Sequence, residues 1–323
     1  MRREVRLLLE LLGKSEALQT LLLFRQKEYG VPIVDDRIIS QITRKSFNLS
    51  SYLNWRFFLF YQLLKNNFKD IFGSNKYKFS LLIMIFLFGI DIFVSVYQKF
   101  NMPYFDKSHL SFSLYFWLGT NDSVISGMLI LLFALITCLP YSTSVLEEKK
   151  SGYFQFVITR SSAIKYFGAK LITSFISGGF LFIFPFLLSF ILMAIMFGDN
   201  LTSGQFVENY HLFHQIARYH PNIYMLIYIS ILFYYAGSFA ILGVCLSTFL
   251  KNRYLAYLSP FLIVLVLEPV FEIFYPQLSP ILLMNPIQSI TGISIFYVLA
   301  VPSFVLIVSL IGCFIGMKKY VQK

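Results

Sequence analysis

Residues 147–154 read Glu147-Glu148-Lys149-Lys150-Ser151-Gly152-Tyr153-Phe154, and they lie between two apolar runs, 124–146 and 171–197. A helix rises about 1.5 Å per residue, so each run is long enough to cross a hydrocarbon core about 30 Å thick. A charged segment between two such runs is a loop at a membrane face, and that reading decides the class of fold. The pattern recurs: further apolar runs occupy 79–98, 223–250, 255–274 and 295–317. The chain is 57% hydrophobic and only 13% charged, about half the charge of a soluble domain. The expectation is an all-α integral membrane protein with six transmembrane helices over 79–323. A barrel would instead show alternating segments of about ten residues.

Basic residues set the orientation. Of the 27 Lys and Arg, all but Lys99, Lys107 and Arg218 fall on the N-terminal side when six spans are threaded. Basic residues near span ends stay in the cytosol, so both termini are placed inside. The net charge of +11 is then a topology signal. No separate basic domain exists, which argues against nucleic acid as a partner. Cys138, Cys245 and Cys313 lie in apolar runs and read as small core residues rather than a disulfide framework or metal site. Met1-Arg2-Arg3 leads into a charged amphipathic stretch, unlike a signal peptide. Residues 1–50 read as a cytosolic helical extension, with Leu7, Leu8, Leu11 and Leu12 alternating with charges until Gly30-Val31-Pro32. Residues 51–78 read as an interfacial amphipathic helix, in which Trp55, Phe57, Phe58 and Phe60 accompany Arg56, Lys65 and Lys69. Gly73-Ser74-Asn75 then turns the chain into the first span.

The loop 147–163 carries the functional reading. A single short helix is expected over 147–158, with acids in its first turn where they favour the helix dipole, and Gly152 allowing a bend or a close approach. Thr159-Arg160-Ser161-Ser162 ends it, either serine being able to cap the next helix, and Lys165 and Lys170 are expected to anchor the third span at the inner head groups. The order of acid, Gly152, apolar run, Arg160, Tyr166 and Lys170 resembles the membrane subunit of the type-2 ABC exporters, the six-span permeases. The resemblance covers about residues 52–317. It implies that the loop helix docks in a groove of a separate ABC ATPase through Glu147, Glu148, Gly152, Tyr153, Phe154, Arg160 and Lys170. It also implies a second permease copy, identical or related, a multi-pass location in a bacterial cytoplasmic membrane, and no cofactor in this chain, ATP and Mg residing on the partner.

The chain carries no G-x-x-x-x-G-K-[ST] loop of its own: Gly13-Lys14-Ser15 is a fragment with Leu8 where the first glycine belongs. Gly178 and Gly179, with Ser174 and Ser177, lie inside a span and read as close-packing residues. The cargo classes implied are peptide, lipid-like or drug-like. A Phe-, Ile-, Lys- and Asn-rich chain fits an AT-rich bacterial genome, where antimicrobial-peptide export or immunity would suit. The alternative class is a non-transporting membrane sensor, assembly factor or intramembrane enzyme.

Charges within spans are costly and mark function or a local partner. Asp91 lies past the middle of the first span, and Glu268 and Glu272 share one face of the fifth, beside Pro269. These acids either line a pathway for cationic or peptide cargo or hydrogen-bond to polar neighbours. Tyr234 and Tyr235 lie deep in the fourth span and offer hydroxyls to a pathway or to helix packing. Glu208, His211 and His214 share one helical face on the outer side, a weak candidate for zinc without the H-E-x-x-H arrangement, and the favoured reading there is an ordinary surface loop. Residues 275–294, with Pro276, Pro280 and Pro286, read as a short re-entrant or interfacial segment and a candidate outer gate.

Overall fold

The structure is a computed structural model that describes residues 49–100, 124–160, 162–197, 213–284 and 293–321. The extension 1–48, Glu208 and His211 lie outside the described residues. The chain divides into two compact units, Met1–Gln62 and Leu63–Lys323. Of the first, only the opening of one helix is described. Among the described residues every regular element is helical. In chain order they are α1 (Leu49–Gly73), α2 (Asn75–Phe100), α3 (Val124–Cys138), α4 (Ser144–Lys150), α5 (Tyr153–Arg160), α6 (Ala163–Phe197), α7 (His214–Tyr219), α8 (Pro221–Phe249), α9 (Arg253–Phe274), a 3-10 turn (Pro276–Leu278), α10 (Pro280–Met284) and α11 (Ile295–Val321).

Five helices are long and apolar enough to cross a membrane: Asn75–Val94, Ala163–Leu192, Ile223–Phe249, Arg253–Phe274 and Ile295–Lys318. They match five of the six expected spans. The sixth, 124–146, is interrupted. Helix α3 ends at Cys138 because Pro140 has no N–H to continue the ladder. The chain then makes tight turns, with Ser142 N–H donating to Cys138 O at 3.0 Å and Ser144 N–H to Tyr141 O at 3.0 Å, before α4 begins. As a 15-residue helix, α3 is about 22 Å long, short of a full crossing by itself.

Helix α8 is the hub. It packs against α3, α6, α9 and α11, and 72% of its most apolar window is buried, against 17% for α9 and 22% for α11. The outer helices keep large apolar side chains exposed, Phe79, Phe86, Val266, Phe304 and Ile311 among them. A soluble protein rarely exposes so much contiguous apolar surface. Close approach of α6 to α8 needs a residue without a Cβ: one added at Gly178 would collide with Ala240 Cβ. Ser174 Oγ, one turn away on α6, donates across the same seam to Ala240 O at 3.0 Å. The packing role read for Gly178 and Ser174 is therefore what the structure shows. All three cysteines are buried and free.

Ser74 separates α1 from α2 and caps the second: its Oγ accepts from Tyr77 N–H at 3.2 Å. Helix α9 runs unbroken through Pro260 and Pro269. Beyond it the chain folds back into the bundle. Ser279 and Met284 are buried; Ser279 Oγ donates to Glu268 Oε1 and Tyr228 OH donates to Met284 O. Glu268 precedes Phe274 by six residues, so Ser279 sits about 9 Å back along the helix from its end. Over its described part the segment 275–294 thus turns back along α9.

If the α6–α8 seam depends on the missing Cβ, Gly178→Val lowers the thermal unfolding midpoint of the detergent-solubilised chain, the overpacking costing about 1–3 kcal/mol. Gly127→Ala, where an added Cβ meets nothing within 4 Å, leaves the midpoint unchanged or slightly raised. Circular dichroism melting of both variants checks the pair.

Candidate functional site

The two acids of the 147–154 stretch turn inward. Both belong to α4, with Glu147 in its first turn, and each meets helices distant in sequence. Glu148 accepts from Lys170 Nζ through Oε1 and from Tyr166 OH through Oε2. Tyr166 and Lys170 are four apart on α6 and so share one face. Lys170 is 1% exposed, and its ammonium lies 4.6 Å from the Tyr141 ring centroid and 5.7 Å from that of Tyr166. A buried ammonium is tolerable only with such an opposite charge and hydrogen-bond acceptors around it.

Glu147 makes the second arm. Its Oε1 accepts from Lys76 Nζ at 2.6 Å and from Thr143 Oγ1 at 3.1 Å, with Arg253 Nη1 4.0 Å away. Thr143 and Tyr257 share a hydrogen bond of 2.8 Å; since the threonine proton goes to Glu147, Tyr257 is the donor. Helix α4 is thus fastened to α2 by Lys76, to α6 by Tyr166 and Lys170, and to α9 by Tyr257 and Arg253. Burial alone would raise the Glu147 carboxyl. The hydrogen bond and charge of Lys76, with Thr143 and Arg253, outweigh it and hold the group below its ordinary range.

The expected single helix over 147–158 is therefore two. Helix α4 ends at Lys150, and Gly152 takes the left-handed conformation, φ 77°, just beyond the cap. Helix α5 then presents two faces. Phe154 and Val157 are buried, the Phe154 ring meeting Tyr166 at 5.2 Å and Phe167 at 6.2 Å. Tyr153 is 48% and Phe156 69% exposed.

Two expectations are corrected: Phe154 packs inward, and Lys170 is buried under the loop instead of lying at the head groups. Glu147 and Glu148 hold the loop to the bundle while staying partly exposed. Each of these groups has a partner on another helix, which local sequence does not display. Tyr153 remains on the outward face, and Phe156 joins it. The side chain of Arg160, the last residue of α5, is not described. Ser162 caps α6, accepting from Lys165 N–H at 3.4 Å. Sequence reasoning missed Lys76, Thr143, Arg253 and Tyr257; the one available signal was the Tyr166/Lys170 spacing.

Of the candidate pathway residues, Glu268 lies within electrostatic reach of both Tyr235 and Glu272. Asp91 is buried on α2 and is not without a partner. Glu268 is half-buried and capped by Ser279, while Glu272 is exposed. Tyr234 OH shares a 2.9 Å hydrogen bond with Ser303 Oγ, joining α8 to α11. Tyr235 is fully buried, its hydroxyl without a hydrogen-bond partner, as is Glu268 Oε2. Among the described residues no group of three or more His, Cys, Asp or Glu is placed to hold a metal; His214 opens α7, and its side chain is not described.

No family model, no curated protein and no solved structure matches the chain.

Two outcomes follow from the clasp. Glu148→Gln or Lys170→Met alone leaves a buried charge uncompensated and costs about 3–5 kcal/mol, whereas the double variant costs less than the sum; a thermal-melting double-mutant cycle reads this. A carboxyl held low contributes stability above the ordinary carboxylate value, about 4.3 for glutamate, and loses it as pH falls through the lowered value. Glu147→Gln therefore lowers the neutral plateau by most of this contribution and flattens the profile below about pH 4.3, so that the two profiles converge in acid.

Proposed function

We propose that the chain is the permease subunit of an ATP-driven ABC exporter in a bacterial cytoplasmic membrane. In this reading α3 and its flanking turns supply a sixth crossing, both termini are cytosolic, and two copies, identical or related, form the pathway. ATP hydrolysis resides on ABC ATPase chains in trans, since this sequence has no phosphate-binding loop. The cargo is a peptide, lipid-like or drug-like molecule moved out of the cell, with antimicrobial-peptide export or immunity the setting that composition favours.

The observation that carries the reading is the convergence of Glu148 with Tyr166 and Lys170 under a helical hairpin whose outer face shows Tyr153 and Phe156. Residues that the resemblance singled out 18 and 22 positions apart meet in one contact. A load applied to the outer face of α5 passes through Phe154 and Glu148 to α6, and through Glu147 to α2 and α9. That is the linkage an external motor needs.

Purification of the full chain from its native membranes in mild detergent tests this. The account expects a co-purifying chain that contains a G-x-x-x-x-G-K-[ST] loop and hydrolyses ATP, and expects Phe156→Asp to reduce its retention by tenfold or more, about 1.4 kcal/mol. A well-folded chain with no such partner, or a partner whose retention ignores Phe156, would favour the non-transporting class.

A further inference from the structure

Beside the clasp lies a cleft of about 370 Å³ that the ion pairs do not fill. Its wall combines the last turn of α1, the start of α2, the turns after α3, Glu147 and Glu148 of α4, and Lys170 at its back. That volume falls at the low end for small-molecule sites and is far larger than a bare ion needs. Its chemistry is two-signed. Asp70 is exposed at the rim, and among the described residues no Lys or Arg is in ion-pair contact with it. Lys76, bonded to Glu147 at 2.6 Å, is half-exposed and keeps further N–H donors to offer. Asn75 adds an amide.

The wall also contains two neighbouring hydroxyls, neither with a partner at full hydrogen-bond geometry. Tyr141 is 7% exposed and its OH has no hydrogen-bond partner, nor does the buried Ser144 Oγ in the same wall. A buried hydroxyl left unsatisfied costs roughly 1–3 kcal/mol, so such groups are normally aimed at a ligand or water. Glu147 and Glu148 in the wall are engaged by Lys76 and Lys170, so the cleft offers the Asp70 carboxylate for a cation, and the remaining donors of Lys76 with two hydroxyls for an anion.

Its position selects the ligand further. Lys76 stands at the start of the first membrane-spanning helix. One turn on, Phe79, Leu82 and Phe86 form an exposed apolar lane down α2, at the spacing of a single helical face. A molecule with a zwitterionic head and an apolar tail fits both features.

We propose that the cleft binds the phosphoethanolamine head group of a membrane lipid, the ammonium on Asp70 and the phosphate toward Lys76, Tyr141 and Ser144, with an acyl chain along Phe79, Leu82 and Phe86. An ammonium has three N–H donors, whereas choline carries the same charge with none, so the site discriminates by hydrogen bonding and not by charge. The bound lipid would brace α1, α2 and the α4 clasp against one another. The inference rests on the membrane-spanning character of the bundle and not on transport.

The full chain is reconstituted in nanodiscs with equal parts phosphatidylethanolamine, phosphatidylcholine and phosphatidylglycerol, extracted, and its retained lipid weighed by native mass spectrometry. The expected result is preferential retention of phosphatidylethanolamine. Asp70→Asn lowers that preference about tenfold, the loss of one charge-assisted hydrogen bond, whereas Tyr141→Phe, which keeps the ring and loses a contact to the phosphate that all three lipids share, lowers total lipid retention and leaves the preference unchanged. Soluble glycerophosphoethanolamine competes the lipid off and glycerophosphocholine does not. Equal retention of the ethanolamine and choline lipids, preferential retention of phosphatidylglycerol, or an Asp70→Asn preference equal to wild type would overturn the proposal. Asp70 lies at an exposed rim, so its substitution leaves folding intact and the comparison stays readable.

Discussion

A lysine ammonium that is 1% exposed at the edge of a membrane bundle must have an anion, and Glu148 supplies it. Much of the loop's shape follows from that requirement. For Glu148 to reach Lys170, the segment after α3 must turn back over α6, which the turns after Pro140 allow. For α4 to end there, the chain must reverse at Gly152, whose φ of 77° is unfavourable for other residues. The reversal then lays α5 with Phe154 on the Tyr166 and Phe167 rings and with Phe156 outward. A pair of charges therefore sets the orientation of an apolar helix that contains neither of them.

The opposite side of the bundle obeys the same rule with different groups. Irregular backbone at membrane depth needs internal partners. The fold-back after α9 finds them in Glu268, which accepts from Ser279, and in Tyr228, which donates to Met284 O. Between the two sides α8 provides the fixed element, buried along most of its length, with hydroxyl bonds such as Tyr234 to Ser303 crossing to α11. The loop side is built from charges and the far side from capped backbone.

The span lengths were legible in the sequence because apolar length is a local property: five runs of sufficient length became five helices, and Gly73-Ser74 marked the break that Ser74 caps. The second span was misread as continuous through 146, although Pro140 was the sign that its helix stops. Gly152 was read as a bend or close approach, and its left-handed φ explains why a glycine stands there. The fate of Glu147, Glu148, Phe154 and Lys170 was not legible. Charge near a span end looks the same whether it faces head groups or a partner helix 22 residues away. Lys76, Thr143, Arg253 and Tyr257 were invisible for the same reason: they reach the site from three separate elements. Glu268 was recognised as costly, but its Ser279 partner depends on a fold-back that local pattern does not announce.

Hydrogen exchange across residues 139–160, read by mass spectrometry on wild type and Glu148→Gln in the same nanodiscs, tests most directly whether this carboxylate holds the loop. The account predicts that α4 and α5 lose protection together in the variant while α8 exchanges as in wild type. Unchanged protection of 144–160 in Glu148→Gln would contradict it, since the loop would then be held by something other than the buried pair.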